Sequence, residues 1–195
     1  MADPITPRQV QIIEAAGKIL TRTGVSGLTI KNLALEMGFS EPAIYRHFKS
    51  KEDIILAMIQ YLAQALEEVY QKATIEEGSE ETKLLKLFHH KLQFFKSNPH
   101  FAIVVFSDGL LETSQTINEG IRSIMILKTK YLKPIISEAI TTGKFKSELE
   151  VEDVLHLIMG SLRLQMLKWR MADFSFDIVV AGDRQISNIL KLIKK

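Results

Sequence analysis

Long, nearly unbroken stretches of helical periodicity constrain this chain more than any other feature. Its 195 residues contain five prolines, at positions 4, 7, 42, 99 and 134. Between these breakers apolar residues recur every three to four positions, and no sustained two-residue alternation asks for a sheet. The pattern predicts an all-α protein of about nine helices. An apolar share of 46% supplies a sizeable core, and with 25% charged residues the composition is globular and not disordered.

The absence of cysteine excludes disulfides, iron–sulfur clusters, thiolate zinc sites and cysteine nucleophiles. The apolar run 101–106 is six residues long, far short of the ~20 that span a bilayer. Met1, Ala2, Asp3 and Pro4 do not form a basic region leading into an apolar stretch, so no signal peptide is expected. These features predict a cytoplasmic protein without a membrane partner.

Net charge is +2, and residues 1–53 carry seven Lys/Arg against six Asp/Glu. Neither half is polybasic. Any nucleic-acid binding has to come from a few placed cations and not from a bulk positive field.

The periodicity places a first helix over 8–23, with Pro7 in its first turn, a stripe of Val10, Ile13, Ala16, Ile19 and Leu20, and Gly24 as its stop. Thr29 is expected to cap a second helix that ends at Gly38, and Ser40 to cap a third that tolerates Pro42 in its first turn. Ser50 opens a fourth, with Asp53 at the reciprocal capping position, and its apolar stripe reaches about residue 75. The acidic stretch 76–81 is the best linker candidate. Further helices are predicted at 81–97, 99–108, 114–142, 151–172 and 176–193.

The informative segment is Thr29 to Lys51, TIKNLALEMGFSEPAIYRHFKSK. A short helix, a tight turn at Gly38-Phe39-Ser40 and a second short helix make a helix-turn-helix. Ile44 and Phe48, four apart, face inward. Glu41, Pro42, Ala43, Tyr45, Arg46 and His47 are then left to solvent. An outward Tyr-Arg-His run suits phosphates and base edges in a major groove, although an ordinary amphipathic helix with a solvated face has the same pattern.

With its flanks, this segment resembles the DNA-binding domain of the tetracycline-repressor (TetR) family of bacterial regulators. Ala15-Ala16, Gly24, Leu28-Thr29-Ile30, Leu33-Ala34, Gly38-Phe39-Ser40 and the run Ile44 to Glu52 carry the resemblance, which covers roughly residues 8–58. It implies a DNA-binding domain over 1–53 and a helical effector-binding and dimerisation domain over 54–195, joined by the long fourth helix. It also implies that Thr29 and Lys31 hold phosphate at the start of the second helix, that Tyr45 and His47 contact the backbone, and that Lys51 adds a phosphate contact beside a helix dipole. Ser40, Glu41, Pro42, Ala43 and Arg46 are the candidates for reading sequence. Arg46 suits a bidentate guanine contact or a phosphate, and Glu41 a cytosine amino group or Arg46 itself.

Residues 80–195 contain no GxxxxGK[ST], GxGxxG or Gly-x-Ser-x-Gly pattern. The family resemblance implies an effector pocket lined by some subset of residues that include Phe94, Phe101, Phe106, Met125, Met159 and Trp169, while any single one of them is more simply explained as core. His156, Arg163 and Arg170, seven apart, form either a solvated stripe with an Asp153–His156 pair or a group that recognises a polar or anionic part of an apolar ligand. The 151–172 helix is apolar around nearly its whole circumference and wants burial on two sides. With helix 176–193 it predicts a homodimer through a four-helix bundle. His89-His90 diverge on a helix, and a single Asp-x-x-His falls short of a di-iron set, so neither a metal nor a cofactor is expected.

The resulting expectation is a non-enzymatic, ligand-responsive regulator, read as a repressor that binds a palindromic operator as a dimer and is released by a small hydrophobic or amphipathic effector. The alternative is a helical small-molecule carrier or bundle enzyme without DNA binding.

Overall fold

A computed structural model describes residues 5–75, 77–106 and 114–195. Among these, nine helices follow in order: α1 (Pro7–Gly27), α2 (Ile30–Met37), α3 (Glu41–Tyr45), α4 (Lys51–Ile75), α5 (Glu80–Ser97), α6 (His100–Val105), α7 (Gln115–Thr141), α8 (Val151–Met171) and α9 (Ile178–Ile193). The described residues contain no strand beyond an isolated bridge between Phe145 and Lys194. None of these helices is long and apolar enough to cross a membrane.

The chain forms two compact units. One comprises Met1–Gln64 with Asn98–Ser123, the other Ala65–Ser97 with Ile124–Lys195. The chain passes between them inside α4, between Ser97 and Asn98, and inside α7. Within the acidic stretch 76–81, residues 77–79 connect α4 to α5 inside the second unit. Residue 76 lies outside the described residues, while Glu80 and Glu81 form the first turn of α5, where acidic side chains complement the helix dipole.

In the first unit α1 starts with a capping box. Thr6 Oγ1 accepts the Gln9 backbone N–H at 3.3 Å, and Gln9 Oε1 accepts the Thr6 N–H at 2.9 Å. Gly24, at φ 68°, breaks the helical geometry near its end, a conformation that glycine adopts without a Cβ penalty. α1 packs against α2 and α6, and α2 against α3. Ile12, Ile13, Ala16, Ile19 and Leu20 meet Leu28, Leu33, Ile44 and Phe48 in a common apolar core. Of α6, the described helix stops at Val105, and residues 107 and 108 of the predicted 99–108 helix lie outside the described residues.

In the second unit α9 packs on α5 and α8. A Cβ on Gly182 would lie 2.2 Å from Leu92 Cδ1, so the α5–α9 approach depends on that glycine. Asp177 caps α9, its Oδ1 accepting from Val179 N at 2.9 Å and Val180 N at 3.2 Å, while Oδ2 accepts from Lys96 Nζ at 2.6 Å. Buried Glu80 pairs with Lys144. α8 is not enclosed on all sides within the chain. Val154, Leu155, Ile158, Leu162, Met166 and Trp169 are buried, but Leu157, Leu164 and Met171 are 43%, 51% and 76% exposed.

Candidate nucleic-acid interface

The helix-turn-helix is assembled from local bonds. Thr29 Oγ1 accepts the Asn32 N–H at 3.1 Å and caps α2. At its other end Gly38 takes the left-handed conformation (φ 65°, ψ 32°), with Phe39 N–H donating to Ala34 O at 2.8 Å and Gly38 N–H to Leu35 O at 3.2 Å. That bond pair is a Schellman stop. The Arg8 guanidinium lies 5.2 Å from the centre of the Phe39 ring and covers the turn from outside.

Ser40 stands at the N-cap of α3 but its hydroxyl makes no capping bond. Pro42, which has no N–H, removes one of the donors such a cap would serve. α3 itself ends at Tyr45 and not at residue 48. Arg46 and His47 continue as a turn, with Phe48 N–H donating to Ile44 O at 3.1 Å. Ile44 and Phe48 are buried, as their spacing predicts. Glu41, Pro42, Tyr45 and Arg46 are exposed, Tyr45 to 50%, and Ala43 and His47 are half-buried. Among the described residues no ion pair joins Glu41 to Arg46, so both remain directed outward.

Thr29 and Lys31 are exposed beside this helix at the start of α2. Lys51 is half-buried, and its Nζ donates to Val25 O at 2.7 Å, a bond that ties the start of α4 to the end of α1. Partial burial lowers its pKa from the ordinary lysine range. The start of α4 is held by Ser50 Oγ, which accepts the Asp53 N–H at 3.1 Å. Asp53 Oδ2 reciprocates one residue earlier than expected, at Lys49 N, 3.0 Å away.

The remaining candidates belong to both units. In the first unit Phe101 is buried and stacks on Tyr61 (6.0 Å, 14°), and Phe106 is also buried. In the second unit Phe94 is half-buried and edge-on to Phe95, Met125 is exposed, and Met159 is half-buried. Trp169 is buried, with its indole N–H donating to Phe176 O at 2.9 Å. Arg163 and His156 are exposed on α8. His156 Nδ1 lies 2.8 Å from the Glu152 backbone oxygen, so its ring is held by its own helix and not by Asp153.

Residues 12–58 match the family described as "Bacterial regulatory proteins, tetR family", and residues 58–193 match "YsiA-like protein, C-terminal region". This chain belongs to the TetR family of bacterial regulatory proteins. As a TetR-family regulator it is a DNA-binding, ligand-responsive control protein of transcription. It is 27% identical over 185 residues to the Fatty acid metabolism regulator protein of Bacillus subtilis, covering 91% of each chain. Two solved structures share its fold. One is the fatty acid degradation regulator FadR from Bacillus halodurans, with a TM-score of 0.84, 22% identity, and coverage of 96% of this chain and 97% of that one. The other is the transcriptional regulator FadR from Bacillus subtilis in complex with stearoyl-CoA, with a TM-score of 0.79, 23% identity, and coverage of 93% and 97%.

Two cations of this TetR-family regulator escaped the reading of its sequence. Lys91 is 7% exposed, on the buried stripe Leu84, Leu87, Phe88, Leu92 and Phe95 of α5. Burial pushes its pKa well below the usual lysine range, and neighbouring Lys128 lowers it further. Lys128, half-buried on α7, is pulled down to about 8 by burial and then by the charge of Arg163. The available signal was a lysine at an apolar position of a 3.6-residue stripe.

Proposed function

We propose that this TetR-family regulator is a homodimeric repressor that binds a palindromic operator and is released by a fatty-acyl effector in the cytoplasm. The observation that carries the DNA part is the partition of α3. Ile44 and Phe48 anchor it to the core while Glu41, Pro42, Tyr45 and Arg46 point outward. In this reading residues 1–53 are the DNA-binding domain. Thr29, Lys31, Tyr45, His47 and Lys51 hold phosphates, and Ser40, Glu41, Pro42, Ala43 and Arg46 face the base edges.

Dimerisation is supported by the outward row Leu157, Leu164 and Met171 of α8, seven apart, together with exposed Val180 and Leu192 of α9. A heptad-spaced apolar row on α8 beside exposed apolar side chains of α9 suits a four-helix bundle with the same two helices of a second copy. Two α3 helices then meet successive major grooves about one helical turn apart. An effector weakens this by preferring a state in which that spacing is lost, and can do so only by its differential affinity for the two states.

The fatty-acyl class is supported by the Bacillus subtilis relative named for fatty acid metabolism and by the solved relative in complex with stearoyl-CoA. Phe94 and Met159, both half-buried in the second unit, are the proposed apolar contacts, with Arg163 and His156 at the polar end. The test is fluorescence anisotropy with duplexes tiled across the promoter of the gene's own operon. Specific, saturable binding that oleoyl-CoA reverses is expected. Binding that does not distinguish any promoter duplex from random DNA would overturn the reading.

A further inference from the structure

In the second unit a buried lysine lies on the apolar stripe of α5, with further positive charge supplied by half-buried Lys128 of α7 and exposed Arg163 of α8. Among the described residues two charged side chains are buried, Glu80 and Lys91. Glu80 has Lys144 as its ion-pair partner. Lys91 has no carboxylate partner among the described residues. Its Nζ lies 5.4 Å from the centre of the Phe88 ring, and its charged neighbour is another ammonium, that of Lys128. Arg163 of α8 adds its charge to that of Lys128.

Like charges placed together away from water are unfavourable unless something of opposite sign meets them. A cation–π contact with a neutral ring offsets only part of that. A methionine would fill the Lys91 position among Leu87, Phe88, Leu92 and Phe95 without the penalty, so packing alone does not account for the charge.

We propose that Lys91 and Lys128 form a subsite that binds the anionic group of the effector, a carboxylate or a phosphate, with the acyl chain continuing along the neighbouring apolar side chains. The proposal rests on the ligand-responsive reading given above and adds the chemistry of the ligand's head. Two ammonium groups from different helices can share one anion, whose charge relieves their mutual repulsion. An apolar molecule without such a group leaves the pair uncompensated, so the site discriminates against neutral analogues.

The full-length protein and its K91M and K128M variants are titrated calorimetrically with oleate, oleoyl-CoA and methyl oleate, and their thermal melts are followed by circular dichroism. Both variants are expected to melt cooperatively, to lose at least tenfold in affinity for an anionic probe, and to hold methyl oleate within twofold. Loss confined to oleoyl-CoA identifies a phosphate as the partner, and loss confined to oleate a carboxylate. Unchanged affinity for both anionic probes overturns the proposal, as does an equal loss for methyl oleate. If the wild-type protein binds no acyl compound, the acyl reading fails separately. Inorganic pyrophosphate at constant ionic strength then decides the site. A rise in melting temperature that is absent in K91M and K128M supports it, and no rise in the wild type overturns it.

Discussion

His100 lies against Gly17 so closely that a Cβ on the glycine would sit 2.8 Å from the imidazole Cγ. The contact joins α6 to α1 through a hydrogen where any other residue has a methyl group or more. Gly17→Ala must therefore push the ring or the helix aside. Helix propensity favours alanine by up to about 1 kcal/mol, while overpacking costs about 1–3 kcal/mol, so net destabilisation is expected. Adding His100→Ala to Gly17→Ala removes the clash, and the double variant is expected to be less destabilised than the two single losses combined. Chemical denaturation of all four proteins measures this coupling.

The same ring sets an acid limit. Burial lowers the His100 pKa from 6.5 to about 4. The folded state then binds fewer protons than the unfolded state between those values, so stability is full above pH 6.5 and falls as pH drops toward 4. Replacing His100 with Gln removes this proton linkage. Melting temperatures between pH 7 and pH 4 are expected to decline less steeply for His100→Gln than for the wild type.

Because Tyr45 and Arg46 are exposed, their removal leaves the core intact. Arg46→Ala is expected to weaken operator binding by about 1–3 kcal/mol if Arg46 reads a guanine, with relaxed preference at one base pair of each half-site. If it holds a phosphate, affinity falls uniformly across sequences and the salt dependence becomes shallower. Anisotropy titrations at several salt concentrations with single-base operator variants separate these outcomes. An unchanged melting temperature confirms that the fold is retained.

Leu164 sits in the middle of the outward row of α8. A charge there is compatible with solvent but not with a dry interface between copies. Leu164→Glu is expected to leave the far-ultraviolet circular dichroism unchanged, to yield monomers in sedimentation velocity, and to reduce affinity for a palindromic operator by more than tenfold. A variant that sediments as a dimer would remove α8 from the proposed interface.

A half-buried lysine also has an alkaline signature. Lys128, lowered to about 8 from 10.5, holds fewer protons in the folded than in the unfolded state across that interval. Its contribution to stability therefore grows as pH rises from 8 to 10.5 and is lost on returning. The difference in melting temperature between wild type and K128M is expected to shift in favour of the wild type over that range.

The helical architecture and the helix-turn-helix were legible because they rest on short-range chemistry. Thr29 can reach Asn32 N–H, Gly38 can turn left-handed, and Ile44 and Phe48 lie on one face wherever the segment is placed. Ser40 shows the limit even there. Its residue type suits a cap, yet with Pro42 following its hydroxyl makes no capping bond. The acidic stretch before α5 marked a connection between helices, but composition did not register that Glu80 would find Lys144, 64 positions away.

By itself, then, the order of residues determined helix positions, the stops between them and the face of α3 left exposed. All of these follow from contacts within a few positions along the chain. Only the tertiary structure decided that α8 buries one side and presents Leu157, Leu164 and Met171 on the other, and that Lys91 is buried on an apolar stripe where the charge of Lys128 acts on it. Those outcomes depend on which distant helices pack against each other, and burial and charge proximity have no meaning until that packing exists.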